Sequence, residues 1–367
     1  MFSQKLEALS SKNRLRALSG ASGIDLSSND YLGLKDHPQL KRAALAAIER
    51  GVGLGAGASR LLRGNAPEHS ALETYAAAHY GFDSALYFAN GFSANYAVLT
   101  TLPSRHDVVI FDALVHASMR DGLQAGHAKA VKVAHNDLDA FEGALKAHRD
   151  QAQNLFIAVE SLYSMDGDLA PLPALAALAQ RYGAVLIVDE AHSTGVFGAE
   201  GRGLSDLLPR ENLIVIHTCG KALGVAGGLV CAPKDVIDYL INAARPFIYS
   251  TAPPPLQAVL TQEAIALCAS AQGEEARAKL RSLCEIAQNS LGGVGTQIIP
   301  IILGAEDKAM SIAADLQAQG YDIRAIRPPT VPEGTARLRL SLNAKLPPAT
   351  LRDFLGALQP YLLKQAS

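Results

Sequence analysis

The stretch AVLIVDEAH, residues 184–192, is the key to this chain. Five apolar residues lead to Asp189, followed by Glu190, Ala191 and His192. A short apolar run rich in β-branched residues predicts a strand buried on both faces, as in a parallel sheet. In open α/β sheets ligands bind outside the carboxyl ends of the strands, so Asp189 is a candidate ligand-binding carboxylate. Alone, it could equally cap a helix or pair with a loop cation. The next apolar run, NLIVIHT (212–218), leads through Cys219 and Gly220 to Lys221, thirty-two residues after Asp189. An acid and an amine are thus expected at neighbouring strand ends.

Outward from this pair the pattern repeats. SALYFAN (84–90), DVVIFD (107–112), AVKVAH (130–135), NLFIAVES (154–161) and GGLVCAP (227–233) read as further strands. Helical stretches such as LDAFEGALKAH and PLPALAALAQRYG lie between many of them. Strands alternating with helices predict βαβ units and a mostly parallel sheet covered on both faces. The proline run in PFIYSTAPPPLQAV breaks the pattern near residue 250. Beyond it, helical patterns (about 255–292, 306–319 and 347–363) surround strand-like IIPIILG, DIRAI and ARLRLSL. The expected organisation is an N-terminal helix (about 3–18) and arm over 1–35, a large domain over 36–253, and a smaller α+β domain over 254–367.

Composition narrows the function. Hydrophobic residues make up 49% and charged residues 19%, which argues against disorder. A net charge of −2 offers no general attraction to nucleic acid or anionic membrane. No run of about 18 apolar residues predicts a membrane span, and the N-terminus lacks a signal peptide's apolar region. The four cysteines, Cys219, Cys231, Cys268 and Cys284, form no C-x-x-C pair, so no metal site is expected; they read as reduced thiols of a cytoplasmic protein. GVGLGAG (51–57) fails as a dinucleotide fingerprint, because Ala56 stands at its third glycine and the run follows a helix. Gly220-Lys221 fails as a P-loop, with Val215 for the first glycine and Ala222 for Ser or Thr. GFSAN lacks the last glycine of a nucleophile elbow, at Asn95, and Asp166-Gly167-Asp168 is too short for a calcium loop.

The acid–amine pair suits pyridoxal phosphate, which needs a lysine for a Schiff base and an acidic partner for its pyridine nitrogen. Its phosphate needs a cradle, and Asn90-Gly91-Phe92-Ser93, where a strand gives way to a helix, offers backbone N–H groups with a glycine for close approach. Thr218 can add a hydroxyl, and His116, after the strand DVVIFD, can stack on the ring. Taken singly, each is equally an ordinary turn glycine, strand threonine or packed histidine.

The stretches SSNDYLGL, FANGFSAN, SLYSMDGD, VDEAHSTGVFG, HTCGKALG, FIYST and AIRPPTVPEGTARLRLSL occur in this order along almost the whole chain. Together they resemble the α-oxoamine synthases, fold-type I pyridoxal-phosphate enzymes. The resemblance implies that such a protein joins an amino acid to an acyl thioester with decarboxylation. It implies that Lys221 carries the cofactor and acts as base, and that Asp189 partners the ring nitrogen. His192 falls near the phenolic oxygen, Ser164 beside the cofactor, and His116 on the ring. Gly91, Phe92 and Thr218 match phosphate contacts, and Thr251 a phosphate contact given across a homodimer interface with shared active sites. Arg339 matches the arginine for the substrate α-carboxylate, with Asn29, Arg327, Thr330 and Arg16 on the substrate side. The stretch IRPPTVPEGTARLRL favours L-alanine and a pimeloyl thioester, on coenzyme A or an acyl carrier protein, as substrates. Glycine C-acetyltransferase, 5-aminolevulinate synthase and long-chain amino-ketone synthase activities share the chemistry and stay open. So do a pyridoxal-phosphate lyase or aminotransferase and a non-catalytic binding protein. Arg60 and Arg63 stand where some relatives carry small residues, a departure that bears on acyl-chain or carrier recognition.

Overall fold

Seven strands form where the apolar runs predict them. In order across the sheet they are Ser84–Phe88, Gly228–Ala232, Leu213–Thr218, Val185–Asp189, Leu155–Glu160, Val108–Asp112 and Lys129–Val133. All run in one direction except Gly228–Ala232, which is antiparallel to both its neighbours. The computed structural model describes residues 1–12, 14–18 and 20–363; the remaining positions of the expected N- and C-terminal segments lie outside the described residues.

Alternation along the strands divides the core in two. Ile187, Ile214 and Ile216 belong to one apolar cluster, with Val98, Leu99 and Met119. Leu186, Val188 and Val215 belong to the other, with Phe141, Leu145 and Leu175. A strand buried on both faces has no polar side to show, which is why residues 185–188 and 213–216 are all apolar. Each fully buried Leu or Ile contributes about 1.5–3 kcal/mol by leaving water.

The chain forms two compact units, and they depart from the expected boundaries. The larger comprises residues 32–163 and 169–276, the smaller residues 1–31, 164–168 and 277–367. The helical pattern over 255–292 is two helices, Pro255–Ala269 and Ala271–Leu291, separated by Ser270 in extended conformation. Pro255–Ala269 belongs to the larger unit because it packs on the helices Pro38–Glu49 and Pro67–Tyr80. Its buried residues, among them Ala258, Thr261, Ala264, Ile265 and Cys268, leave it no fully polar face. The N-terminal helix ends at Ser10, short of the expected 18, with no residue buried to hold further turns.

In the smaller unit, Ala336–Ser341 is the central strand of an antiparallel sheet with Ala325–Ile326 and Ile298–Gly304. The expected strand DIRAI splits. Tyr321–Asp322 pairs in parallel with Ile24–Asp25, and only Ala325–Ile326 joins the three-stranded sheet. That pairing brings the N-terminal arm into this unit. No helix among the described residues is long and apolar enough to cross a membrane.

Candidate active site

Because the strands run in one direction, Phe88, Asp112, Asp189 and Thr218 all end at the same edge of the large sheet. Phe88 and Thr218 both register with Gly228 of the antiparallel strand between them. Just beyond Phe88, the helix Gly91–Thr101 begins, capped by Asn90, whose Oδ1 accepts the Ser93 amide at 2.8 Å. The amides of the first turn have no intrahelical partner and bear the positive end of the helix dipole. Gly91 lies so close to Thr218 that a Cβ there would overlap the threonine hydroxyl. The Gly91 and Phe92 amides and this hydroxyl thus make a candidate anion cradle, with Phe92 46% exposed. Gly91→Ala is expected to cost about 1–3 kcal/mol of steric strain at this contact, lowering phosphate-ligand affinity about ten-fold or more. A fluorescence titration with pyridoxal phosphate measures it, and unchanged affinity would contradict the cradle.

Asp189, 2% exposed, ends its strand with both oxygens engaged. Oδ1 accepts the Ala191 amide at 2.8 Å and Oδ2 accepts Asn95 Nδ2 at 2.6 Å. Lys221 lies in the tight connection after Thr218, where the Cys219 amide donates to the Gly227 carbonyl and the Gly224 amide to the Lys221 carbonyl. Gly224 has φ +68°, and its backbone is packed against Lys35, leaving no space for a side chain. Lys221 Nζ lies 2.8 Å from His192 Nε2. His116 caps the helix Ala117–Ala125, its Nδ1 accepting the Ser118 amide at 3.2 Å and lying 2.8 Å from Ser118 Oγ. Burial lowers the His116 pKa; Asp189 opposes that shift and Lys221 adds to it. The three side chains therefore act on one another electrostatically, and burial favours the uncharged form of the imidazole.

Three participants carried no sequence signal for this edge. Asn95 was quoted only within the rejected GFSAN motif and the family stretch FANGFSAN, with no role of its own, yet it bonds Asp189. Ser118 links Asn95 to His116. Glu190 is completely buried and accepts bonds from the hydroxyls of Ser161 and Ser193 and the amides of Leu204 and Ser205. Those bonds tie down both flanks of His192, and the space at Gly203 is so tight that a Cβ there would come 2.7 Å from the Glu190 carboxylate. Thr251 is exposed, just beyond the short helix Arg245–Ile248.

The expected substrate-side residues fall in the smaller unit. Arg339, 7% exposed, donates from Nε to the Ser164 carbonyl (2.6 Å), from Nη1 to Asn29 Oδ1 (3.1 Å) and Ser341 Oγ (2.7 Å), and from Nη2 to the Tyr31 hydroxyl (3.3 Å). All these partners are neutral. Arg16 Nη2 donates to Thr330 Oγ1 at 3.1 Å, so those two expected residues meet, while Arg327 is half-buried. Ser164, expected beside the cofactor, lies here and supplies a carbonyl to Arg339. Arg60 does not project a free charge. Its guanidinium is bidentate to Glu73 at 2.9 Å on both arms, and Glu73 also accepts the Tyr87 amide. Arg63 is exposed.

A lysine beside a histidine, a buried carboxylate, a neutral imidazole and an anion cradle at one sheet edge suit a flat nitrogen heterocycle bearing a phosphate. The architecture is that of the fold-type I pyridoxal-phosphate transferases. The profile of the family "Aminotransferase class I and II" matches residues 21–358. A curated 8-amino-7-oxononanoate synthase of Geobacter sulfurreducens is 42% identical over 349 residues, covering 90% of this chain and 89% of that protein. The solved serine palmitoyltransferase of S. paucimobilis, with a PLP–myriocin ligand, superposes with a TM-score of 0.89 at 28% identity, covering 98% and 96% of the two chains. The solved 8-amino-7-oxononanoate synthase of Francisella tularensis gives 0.78 at 28% identity, covering 94% and 99%. The chain belongs to the aminotransferase class I and II family and, within it, to the α-oxoamine synthases.

Proposed function

We propose that this protein joins L-alanine to a pimeloyl thioester with loss of carbon dioxide, using pyridoxal phosphate and forming 8-amino-7-oxononanoate. The observation that carries the reading is the 42% identity to a synthase of that name across 90% of the chain, with Lys221, Asp189, His192 and His116 inside the match. When bound, the cofactor supplies an electron sink for a carbanion at the amino acid's α-carbon.

Lys221 Nζ would hold the cofactor and, as a free amine, would take the α-proton as general base. His192 Nε2, 2.8 Å away, orients that amine. Asp189 keeps the ring nitrogen protonated, since a close opposite charge favours the charged form. His116 covers the ring face, and Gly91, Phe92 and Thr218 take the phosphate. Ser164 contributes beside the cofactor, and Thr251 reaches the phosphate of a second subunit in a homodimer. Arg339 binds the substrate carboxylate: a buried guanidinium with only neutral partners favours an anion, and its planar fork suits a carboxylate. Asn29 orients Arg339, while Arg16, Arg327 and Thr330 lie on the substrate side. The four cysteines are buried and form no disulfide, which accords with a reducing cytoplasmic setting.

The TM-score of 0.89 to serine palmitoyltransferase favours one second reading, serine with a long-chain acyl thioester. Thiol release measured for alanine, glycine and serine against short, pimeloyl and long acyl thioesters separates the two. The expected result is highest kcat/KM for alanine with the pimeloyl donor, on either coenzyme A or carrier protein. Preference for serine with a long chain overturns the proposal, and turnover of the amino acid without any thioester would make the protein a lyase or aminotransferase.

A further inference from the structure

We propose that Asn95 is a positioning residue for the cofactor ring, one side-chain amide fixing both the Asp189 carboxylate and, through Ser118, the His116 imidazole. The inference rests on the pyridoxal-phosphate reading above.

Asn95 is 2% exposed, on the helix Gly91–Thr101 that also opens the phosphate cradle. Its neighbours Ala94, Ala97, Val98 and Leu99 are buried and apolar, so packing alone would place an apolar residue there. Instead Nδ2 spends both protons on the site, one to Asp189 Oδ2 at 2.6 Å and one to Ser118 Oγ at 3.0 Å. Asn95 Oδ1 is buried without a hydrogen-bond partner. An amide normally orients to satisfy its oxygen, because an unmet buried acceptor is costly. Here the orientation is dictated by the carboxylate, since the reverse one would set oxygen against oxygen.

Two constraints follow. Asp189 Oδ1 is held by the Ala191 amide and Oδ2 by Asn95, so the carboxylate plane is fixed and each oxygen keeps a lone pair for a ring N–H. Ser118 Oγ, held by Asn95, lies 2.8 Å from His116 Nδ1, and the Ser118 amide donates to the same nitrogen. That makes Nδ1 an acceptor, places the proton of the neutral ring on Nε2, and sets the ring plane. Acid and stacking ring are oriented by one amide on the helix that cradles the phosphate.

Asn95→Leu, close in shape and without polar atoms, tests the idea in the full-length protein stripped of cofactor and reloaded. Two readouts are taken: pyridoxal phosphate affinity, and the pH midpoint at which the visible band of the bound cofactor titrates. The expected result is affinity weakened about ten-fold or more, as for loss of a hydrogen bond to a charged group. The midpoint moves up, because a ring nitrogen less firmly protonated withdraws less charge from the nitrogen bonded to Lys221. The cofactor-free protein keeps its melting temperature. Affinity within two-fold of the parent with an unmoved midpoint overturns the proposal. If Asn95→Leu does not fold, Ser118→Ala decides. A loss of about three-fold, fitting one neutral hydrogen bond, supports the proposal, and an unchanged affinity overturns it. Failure of the parent itself to bind pyridoxal phosphate would instead overturn the reading of the site, leaving the two failures distinct.

Discussion

Lys221→Ala is expected to abolish product formation and, with it, the visible absorbance of the cofactor-loaded protein. The side chain has two tasks in the proposed reaction, and no neighbour can take over either. It is the amine at the sheet edge in contact with His192, so the covalent anchor is lost with it. It is also the base for the α-proton, and removing a positioned general base costs about 10²–10⁴-fold. His192 is not a substitute. It is 4% exposed and held on a segment fixed through Glu190, so it cannot travel the length of a lysine side chain. Fold stability is expected to change little, because Lys221 is only half-buried and the turn that carries it is held by backbone bonds. Absorbance after reloading with cofactor, and thiol release with alanine and pimeloyl thioester, measure both parts. Full activity in this variant would remove the basis of the proposed function.

Asp189→Asn is expected to lower kcat by about 10–10³-fold while leaving the cofactor-free protein folded. The magnitude follows from the charge. An adjacent anion holds a cation's proton by about 1–3 pK units, at 1.36 kcal/mol for each. Losing the anion leaves the ring nitrogen largely unprotonated at neutral pH, so the carbanion loses that stabilisation. The fold tolerates the exchange for a local reason. The new amide oxygen can still accept the Ala191 amide, and Asn95 can turn over so that its unmet Oδ1 accepts from the new NH₂. Neutralising a carboxylate whose hydrogen-bond donors are both neutral removes a desolvation cost, so the melting temperature is expected to hold or rise. Wild-type kcat would show that this carboxylate does not govern the ring. A collapse of the melting temperature would show that its role is structural.

The positions of the strands were legible because their cause is local. Residues 184–188 (AVLIV) and 213–216 (LIVI) are apolar throughout, and a segment without a polar side must lie inside a sheet. From that alone Asp189 and Lys221 fall at strand ends, and the parallel register of Val185–Asp189 with Leu213–Thr218 puts those ends side by side. Gly91 and Thr218 were legible separately, as a helix start and a strand end. Their contact depends on both strands registering with Gly228, which no local pattern records.

The order of the strands along the large domain, the placing of Asp189 and Lys221 at or just after strand ends, and the family likeness were thus legible in the sequence alone, through side-chain periodicity and short motifs. Tertiary structure alone decided the rest. It placed Asn95 against Asp189, 94 residues away, and turned Arg60 into a partner of Glu73. It moved Pro255–Ala269 into the larger unit and residues 1–31 and 164–168 into the smaller. The physical reason is the same in each case. A buried polar group must find a hydrogen-bond partner, and an apolar helix face must find a surface to cover, wherever in the chain these lie. Only packing determines which candidate comes within reach.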